Sequence, residues 1–246
     1  MSQVLDSWIE GLVRARKTSQ RVMPPLDLPS KVEDAYRIQA GVAAHVGRIG
    51  GFKTARKAGA DPIMAPIFAA DIVPSGAQVA VPDMLGIELE VGFQIIEDCP
   101  RDMYRLSSPE LGSLLRPVVV IELVNTRLAG PDADNDIVKL ADNQINAGLV
   151  VGPSVADWSG SDFGTVEAKM RAGDDVILDG TAMVPGGSAL QTFKGFARQI
   201  DDHCGGLRCG QIVITGSLHP LVYYHSGTLV QGWIRGIGTV SVTLGA

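Results

Sequence analysis

Basic residues are too few and too scattered in this chain of 246 residues to form a nucleic-acid surface. Lys and Arg number 21 against 27 Asp and Glu, a net charge of −6, and no basic stripe is present. Aromatic residues make up only 5%, too few for base-stacking platforms. The three cysteines, Cys99, Cys204 and Cys209, are an odd count and read as reduced thiols, not a disulfide framework. His203-Cys204 and Cys209 lack the second ligand pair that a zinc finger needs. No apolar run reaches the length of a membrane-spanning helix, and the first residues lack the basic start and apolar core of a signal peptide. The glycine-rich stretch 232–238 leads into strands, not a phosphate-binding helix, which excludes the dinucleotide fingerprint. Neither a Gly-Lys-Ser/Thr loop nor a Gly-x-Ser-x-Gly elbow occurs. These absences lead to the expectation of a cytoplasmic protein that handles a small molecule, with no nucleic-acid or membrane partner.

Hydrophobic residues make up 46%, enough for a sizeable core. Helical periodicity predicts a helix over 4–16, where Leu5, Trp8, Ile9, Leu12 and Val13 share a face. A second helix is predicted to open on a Ser30/Glu33 capping box and to end near Gly47. From about residue 49 onward most segments read as strands. They include 51–55, 78–82, 87–96, 117–124, a hairpin over 165–178, and 211–217, with three more strands to the C-terminus. Residues 62–68, with Pro62 and Pro66, read as loop, and 189–200 as a late amphipathic helix. Without a repeat, linker or composition shift, one domain is expected over 1–246. It comprises a helical region, 1–48, and a β-rich core, 49–246.

The informative stretch is Gly86-Ile87-Glu88-Leu89-Glu90-Val91-Gly92-Phe93. Read as a strand, it sends Ile87, Leu89, Val91 and Phe93 one way and Glu88, Glu90 and the gap left by Gly92 beside them the other. Alone, the pair of carboxylates fits a half-exposed strand face as readily as a cation site. Glu122 weighs differently. It is the only ionisable residue in the run from Pro117 to Val124, which has the continuous apolar character of a strand buried on both faces. A buried lone carboxylate needs either a basic partner or a metal ion. Lys53 lies among apolar and small residues, with Arg56 and Lys57 close behind, a cluster equally readable as plain surface. The loop holding Asp132, Asp134 and Asp136 lacks the glycine and distal glutamate of an EF-hand.

These segments resemble, nearly end to end, the 2-keto-4-pentenoate hydratases and their relatives the 4-oxalocrotonate decarboxylases, of the fumarylacetoacetate hydrolase superfamily. The resemblance rests on several segments taken together and in order. These are 34–39, Gly51-Phe52-Lys53, Ile87-Glu88-Leu89-Glu90, Ile121-Glu122-Leu123-Val124, Ala141-Asp142-Asn143, 214–218 and 236–240. The implied fold is α+β, mostly β, with N-terminal helices and a mixed β-sandwich or roll. Glu88, Glu90 and Glu122 are implied as ligands of Mg²⁺ or Mn²⁺, a hard cation suited to oxygen donors. Lys53 matches the family's active-site lysine. Asp71 is the nearest match to a catalytic aspartate, displaced by one position. Asp142, Asn143, Thr215, Gly216 and Ser217 match substrate-lining segments. The activity implied is metal-dependent hydration of a 2-oxo-4-enoate or 2-hydroxydienoate, as in aromatic-compound catabolism. Decarboxylation of a 2-oxo acid is the alternative, and a non-catalytic assembly partner is a further one. A homo-oligomer is implied, with a possible complex with a related decarboxylase or hydratase. The chain departs from relatives at Gly86, where they carry arginine, and around 187–190, where they carry Gly-His-Pro.

Overall fold

A computed structural model describes residues 2–56, 61–81 and 83–245. Lys57 and Pro82 lie outside the described residues. Two helices open the chain, α1 (Ser2–Thr18) and α2 (Val32–Val46), followed by strands β1 (Ile49–Ala55), β2 (Ile63–Phe68), β3 (Ile72–Pro74), β4 (Ala77–Ala80) and β5 (Met84–Ile95). Then come α3 (Ser108–Leu114), β6 (Leu115–Val124), α4 (Asp136–Ala141), β7 (Asn146–Ser154), β8 (Thr165–Ala172) and β9 (Asp175–Met183). The chain closes with α5 (Ala189–Gln199), β10 (Ile212–Ser217), β11 (Val222–His225), β12 (Leu229–Ile234) and β13 (Gly238–Gly245). The architecture is α+β and mostly strand, as the sequence implied. No described helix is long and apolar enough to cross a membrane.

Two local expectations give way to tertiary context. Residues 62–68 are not a loop: β2 pairs with β1, with Pro66 opposite Phe52. β2 is the end strand of its sheet, where a proline's missing N–H breaks no ladder bond. The capping box at Ser30/Glu33 does not form. Helix α2 starts one residue later, with Lys31 at its N-cap and no side-chain cap, while Ser107 and Glu110 form a capping box on α3.

One sheet runs in the order β2-β1-β10-β5-β6-β7-β3, with β11 also pairing with β5; the other runs β4-β13-β12-β8-β9. The first sheet is a roll. Ile67 of β2, Val118 and Val120 of β6, Leu149 of β7, and Ile212 and Ile214 of β10 form one buried cluster. β2 and β7 stand far apart in strand order, so their side chains meet only because the sheet curls. The outward face of β5, with Ile87, Leu89, Val91 and Phe93 all buried, belongs to the larger core shared with the helices and the second sheet. Glu88, Glu90 and Gly92, at alternate positions, point into the roll.

Gly92 is not a gap beside the carboxylates. A Cβ there would stand 3.0 Å from Val118 Cγ2 and 3.4 Å from Ile212 Cγ2, so the space it leaves is filled by the apolar cluster. The roll is therefore plugged by apolar side chains below its acidic group.

Candidate metal centre

The central antiparallel pair, β5 with β6, sets Glu88 directly opposite Glu122 and Glu90 opposite Val120. Directly opposed like charges on a sheet repel at a side-chain separation of about 5 Å. Here all three carboxylates are brought together: each offers an oxygen, and these lie within 4.8 Å of one another. Glu122 is fully buried, Glu90 is 2% exposed and Glu88 is half-buried.

One cation enters the group. Lys53, on β1, places Nζ 2.7 Å from Glu122 Oε1 and donates to the carbonyl of Gln144 at 3.2 Å. Asn146 Nδ2 donates to the same Glu122 oxygen at 2.8 Å, and the N–H of Gly216 donates to Glu90 Oε2 at 2.6 Å. Glu122 Oε2 is buried and has no hydrogen-bond partner. A single ammonium cannot balance three carboxylates. Burial, then the charge of Glu122, pushes Glu88 up to about 7, and burial with both neighbouring carboxylates holds Glu90 well above the ordinary range. Burial alone would lower the pKa of Lys53, but the carboxylates, Glu122 foremost, outweigh it and hold the amine above its ordinary value. A charge-deficient set of oxygen donors with one orphaned oxygen suits a hard divalent cation of the Mg²⁺ or Mn²⁺ kind. It is the one group of metal-capable side chains found among the described residues, and His203, Cys204 and Cys209 form no such group.

The chain around the group is strained and braced. Asn143, Gln144 and Ile145 occupy consecutive left-handed positions, with φ of 52°, 50° and 53°. Such backbone is rare for non-glycine residues and least favourable for a β-branched one. The turn aims the Gln144 carbonyl at Lys53 and delivers Asn146 to Glu122. Arg127 holds it closed. Its guanidinium donates to the Asp142 carboxylate at 2.6 Å and to the backbone carbonyls of Asp142 and Asn146, each at 2.5 Å. On the other side of β5, Leu89 N–H donates to His219 Nε2 at 3.1 Å, while His219 Nδ1 lies 2.7 Å from the Pro220 carbonyl. The two contacts require the neutral ring with its proton on Nδ1. His219 thus satisfies β5 between the strands that pair above and below Leu89, β11 and β10.

The remaining residues singled out by sequence fall as follows. Asp142 is committed to Arg127, and Asn143 Nδ2 donates to the Pro66 carbonyl at 3.2 Å. Thr215 donates its hydroxyl to Val91 O at 2.8 Å, and Ser217 donates to His219 O at 2.6 Å. Gly216, at φ 110°, touches Glu90 through its N–H, and the Ser217 side chain reaches Glu88. Asp71 is not brought to the group. It stands 3.7 Å from Arg16 in a cavity on the outer face of the roll. Arg56 donates to the Gly186 carbonyl at 3.0 Å. Sequence reasoning did not single out Arg127, Asn146 or His219. His219 had a signal, as one of only four histidines, placed just after the Thr-Gly-Ser turn.

Comparison with known proteins bears on the fold and the family. No family model matches the chain. Over 122 residues the chain is 30% identical to 2-keto-4-pentenoate hydratase 1 of Dechloromonas aromatica (strain RCB), a stretch covering 49% of this chain and 46% of that protein. The match thus spans about half the length of that relative. The 2-keto-4-pentenoate hydratase of Paraburkholderia xenovorans (strain LB400) aligns over 94% of this chain and 91% of its own length at 23% identity. Among solved structures, 4-oxalocrotonate decarboxylase from Pseudomonas putida G7, complexed with magnesium and adipate, superposes with a TM-score of 0.77. It covers 99% of this chain and 97% of that one at 19% identity. The chain is thus similar along nearly its whole length to a 2-keto-4-pentenoate hydratase, and it shares the fold of 4-oxalocrotonate decarboxylase. A more distant likeness of fold is to fumarylpyruvate hydrolase from Pseudomonas aeruginosa in complex with Mn²⁺ and pyruvate. That structure matches at TM-score 0.58 and 15% identity over 79% of this chain and 88% of that one.

Proposed function

We propose that this protein is a divalent-metal-dependent lyase that adds water to a 2-hydroxydienoate or its 2-oxo-4-enoate tautomer. The observation that carries the reading is the buried triad Glu88, Glu90 and Glu122 with its orphaned Glu122 oxygen and a single lysine. The names of the sequence relatives supply the substrate class. Those three carboxylates would hold Mg²⁺ or Mn²⁺, and the ion would supply Lewis-acid stabilisation of negative charge on the 2-oxo oxygen. The chain's own residues do the rest. Lys53, protonated beside the carboxylates, gives a proton at Nζ to a developing anion. Asn146 and the Gly216 N–H fix the directions of Glu122 and Glu90, so the donor set is ordered before a ligand arrives. The apolar plug excludes water from below, leaving the mouth of the roll as the side from which substrate and water meet Lys53.

Decarboxylation of a 2-oxo acid is the second reading, supported by the end-to-end likeness to 4-oxalocrotonate decarboxylase. Both reactions develop charge on the same 2-oxo oxygen, and pocket shape selects between them. Incubation of the full chain with Mg²⁺ and either 2-hydroxypenta-2,4-dienoate or a 2-oxo diacid, followed by NMR, separates the two. Hydration yields a 4-hydroxy-2-oxo acid, whereas decarboxylation releases CO₂. Glu88→Gln and Glu122→Gln are expected to abolish both turnover and Mn²⁺ binding. Turnover of neither substrate by metal-saturated protein, or turnover that survives both substitutions, refutes the proposal.

A further inference from the structure

A second cavity, of about 680 Å³, opens on the outer face of the roll. Its walls include Arg16 at the end of α1, Arg21 beyond it, Val79 of β4, Leu85 of β5, Leu123 of β6 and Arg127. Leu123 is the strand neighbour of Glu122, so its side chain leaves the opposite face of the sheet. The sheet itself therefore separates this cavity from the acidic triad.

Arg16 is the unexplained group in it. Its side chain is 13% exposed, and its guanidinium lies 4.6 Å above the ring of Phe68. The nearest carboxylate, Asp71, is 3.7 Å away, beyond hydrogen-bonding distance. Among the described residues none of its five donors makes a hydrogen bond. The other two arginines are occupied: Arg127 is committed to Asp142 and to backbone carbonyls, and Arg21 donates to Asn125 Oδ1 at 3.0 Å. Burial, and then repulsion from Arg127, brings the Arg16 guanidinium down to about 9 against the attraction of Asp142 and Asp71. A planar, weakly hydrated guanidinium held flat on an aromatic ring is a preformed partner for a planar oxyanion.

We propose that this cavity binds a small organic monocarboxylate, its head group paired with Arg16 and its apolar body against Val79, Leu85 and Leu123, at a site independent of the metal centre. The apolar wall gives an inorganic anion nothing to bury. Asp71 and Asp83 line the same cavity and repel a phosphate dianion more than a monocarboxylate.

Calorimetric titration of the full chain with hexanoate tests this, in Mg²⁺-saturated and in metal-depleted protein. Binding of one hexanoate is expected under both conditions, with inorganic phosphate and 1-hexanol binding more weakly. Arg16→Met should weaken hexanoate about tenfold or more while leaving Mg²⁺ affinity unchanged. Val79→Asp, in the cavity lining, should do the same by repulsion, so the test survives if either variant folds poorly by thermal unfolding. Failure of the wild type to bind hexanoate, or binding that both variants keep, overturns the proposal. So does binding that disappears on metal depletion. None of these results bears on turnover, so the lyase reading stands or falls separately.

Discussion

Lys53→Met isolates the electrostatics of the acidic triad. In metal-free protein Lys53 is, among the described residues, the single cation in contact with Glu122, which is fully buried. Methionine keeps the length and apolar stem of the side chain and deletes the charge. Removing one partner of a buried ion pair costs about 3–5 kcal/mol, because the other is left uncompensated. For 246 residues the unfolding entropy is about 0.5 kcal/mol/K, so the melting temperature should fall by about 6–10 °C at pH 8. Divalent metal should reverse this. At a hundredfold excess over its dissociation constant a ligand stabilises by about 2.7 kcal/mol, roughly 5 °C. The gain should be larger in the variant than in the wild type, because no resident ammonium competes for Glu122. The assay is thermal unfolding by circular dichroism of both proteins, metal-depleted and with a Mg²⁺ or Mn²⁺ series. A metal-free variant that melts with the wild type, or a variant less responsive to metal than the wild type, would refute the reasoning that Lys53 stands in for missing positive charge.

Other consequences are open to measurement. Glu88, ordinarily near 4.5, is held at about 7 in the metal-free fold. A carboxyl raised in the folded state contributes stability that is complete below about 4.5 and lost as pH rises through about 7. Metal-free protein should therefore melt lower at about pH 8 than at about pH 5.5, and Mg²⁺ affinity should climb over the same interval as protons cease to compete. Gly216→Ala sets a Cβ 2.9 Å from Pro185 Cγ at a φ of 110°. It should cost about 1–3 kcal/mol in thermal unfolding and weaken Mn²⁺ binding by displacing the N–H that orients Glu90. Arg127→Met strands the Asp142 carboxylate and should lose about 3–5 kcal/mol in urea denaturation, together with turnover. Adding Asp142→Asn should recover stability but not turnover, because the Gln144 turn remains unclamped.

The triad was legible because two simple rules converge on it. Period-two alternation put Glu88 and Glu90 on one face, and an isolated carboxylate in an apolar run marked Glu122 as needing a partner. Nothing local shows that Lys53 meets Glu122. β1 and β6 are separated in the sheet by β10 and β5, and only the curl of the roll closes the distance. The left-handed turn at 143–145 was illegible for a different reason: Gln and Ile have no preference for positive φ, and the turn is imposed from outside by Arg127. Pro66 misled because a breaker residue is harmless on an end strand, and strand order is a global property. Asp142, Asn143 and Thr215 were picked out as ligand-facing, yet their polar groups are spent on the protein's own backbone and on Arg127.

The apolar plug turns the roll from a pipe into a cup. Ile67, Val118, Val120, Leu149, Ile212 and Ile214 close it behind the triad without offering one polar atom. On the proposed lyase reading, a molecule engaging the carboxylates would enter and leave on the side away from this plug, so a product would have to clear it before the next substrate is seated. Traffic would then be single-file. A substituent at the far end of the proposed substrate would be read at the rim, where loops can change without disturbing the floor, rather than threaded through the roll.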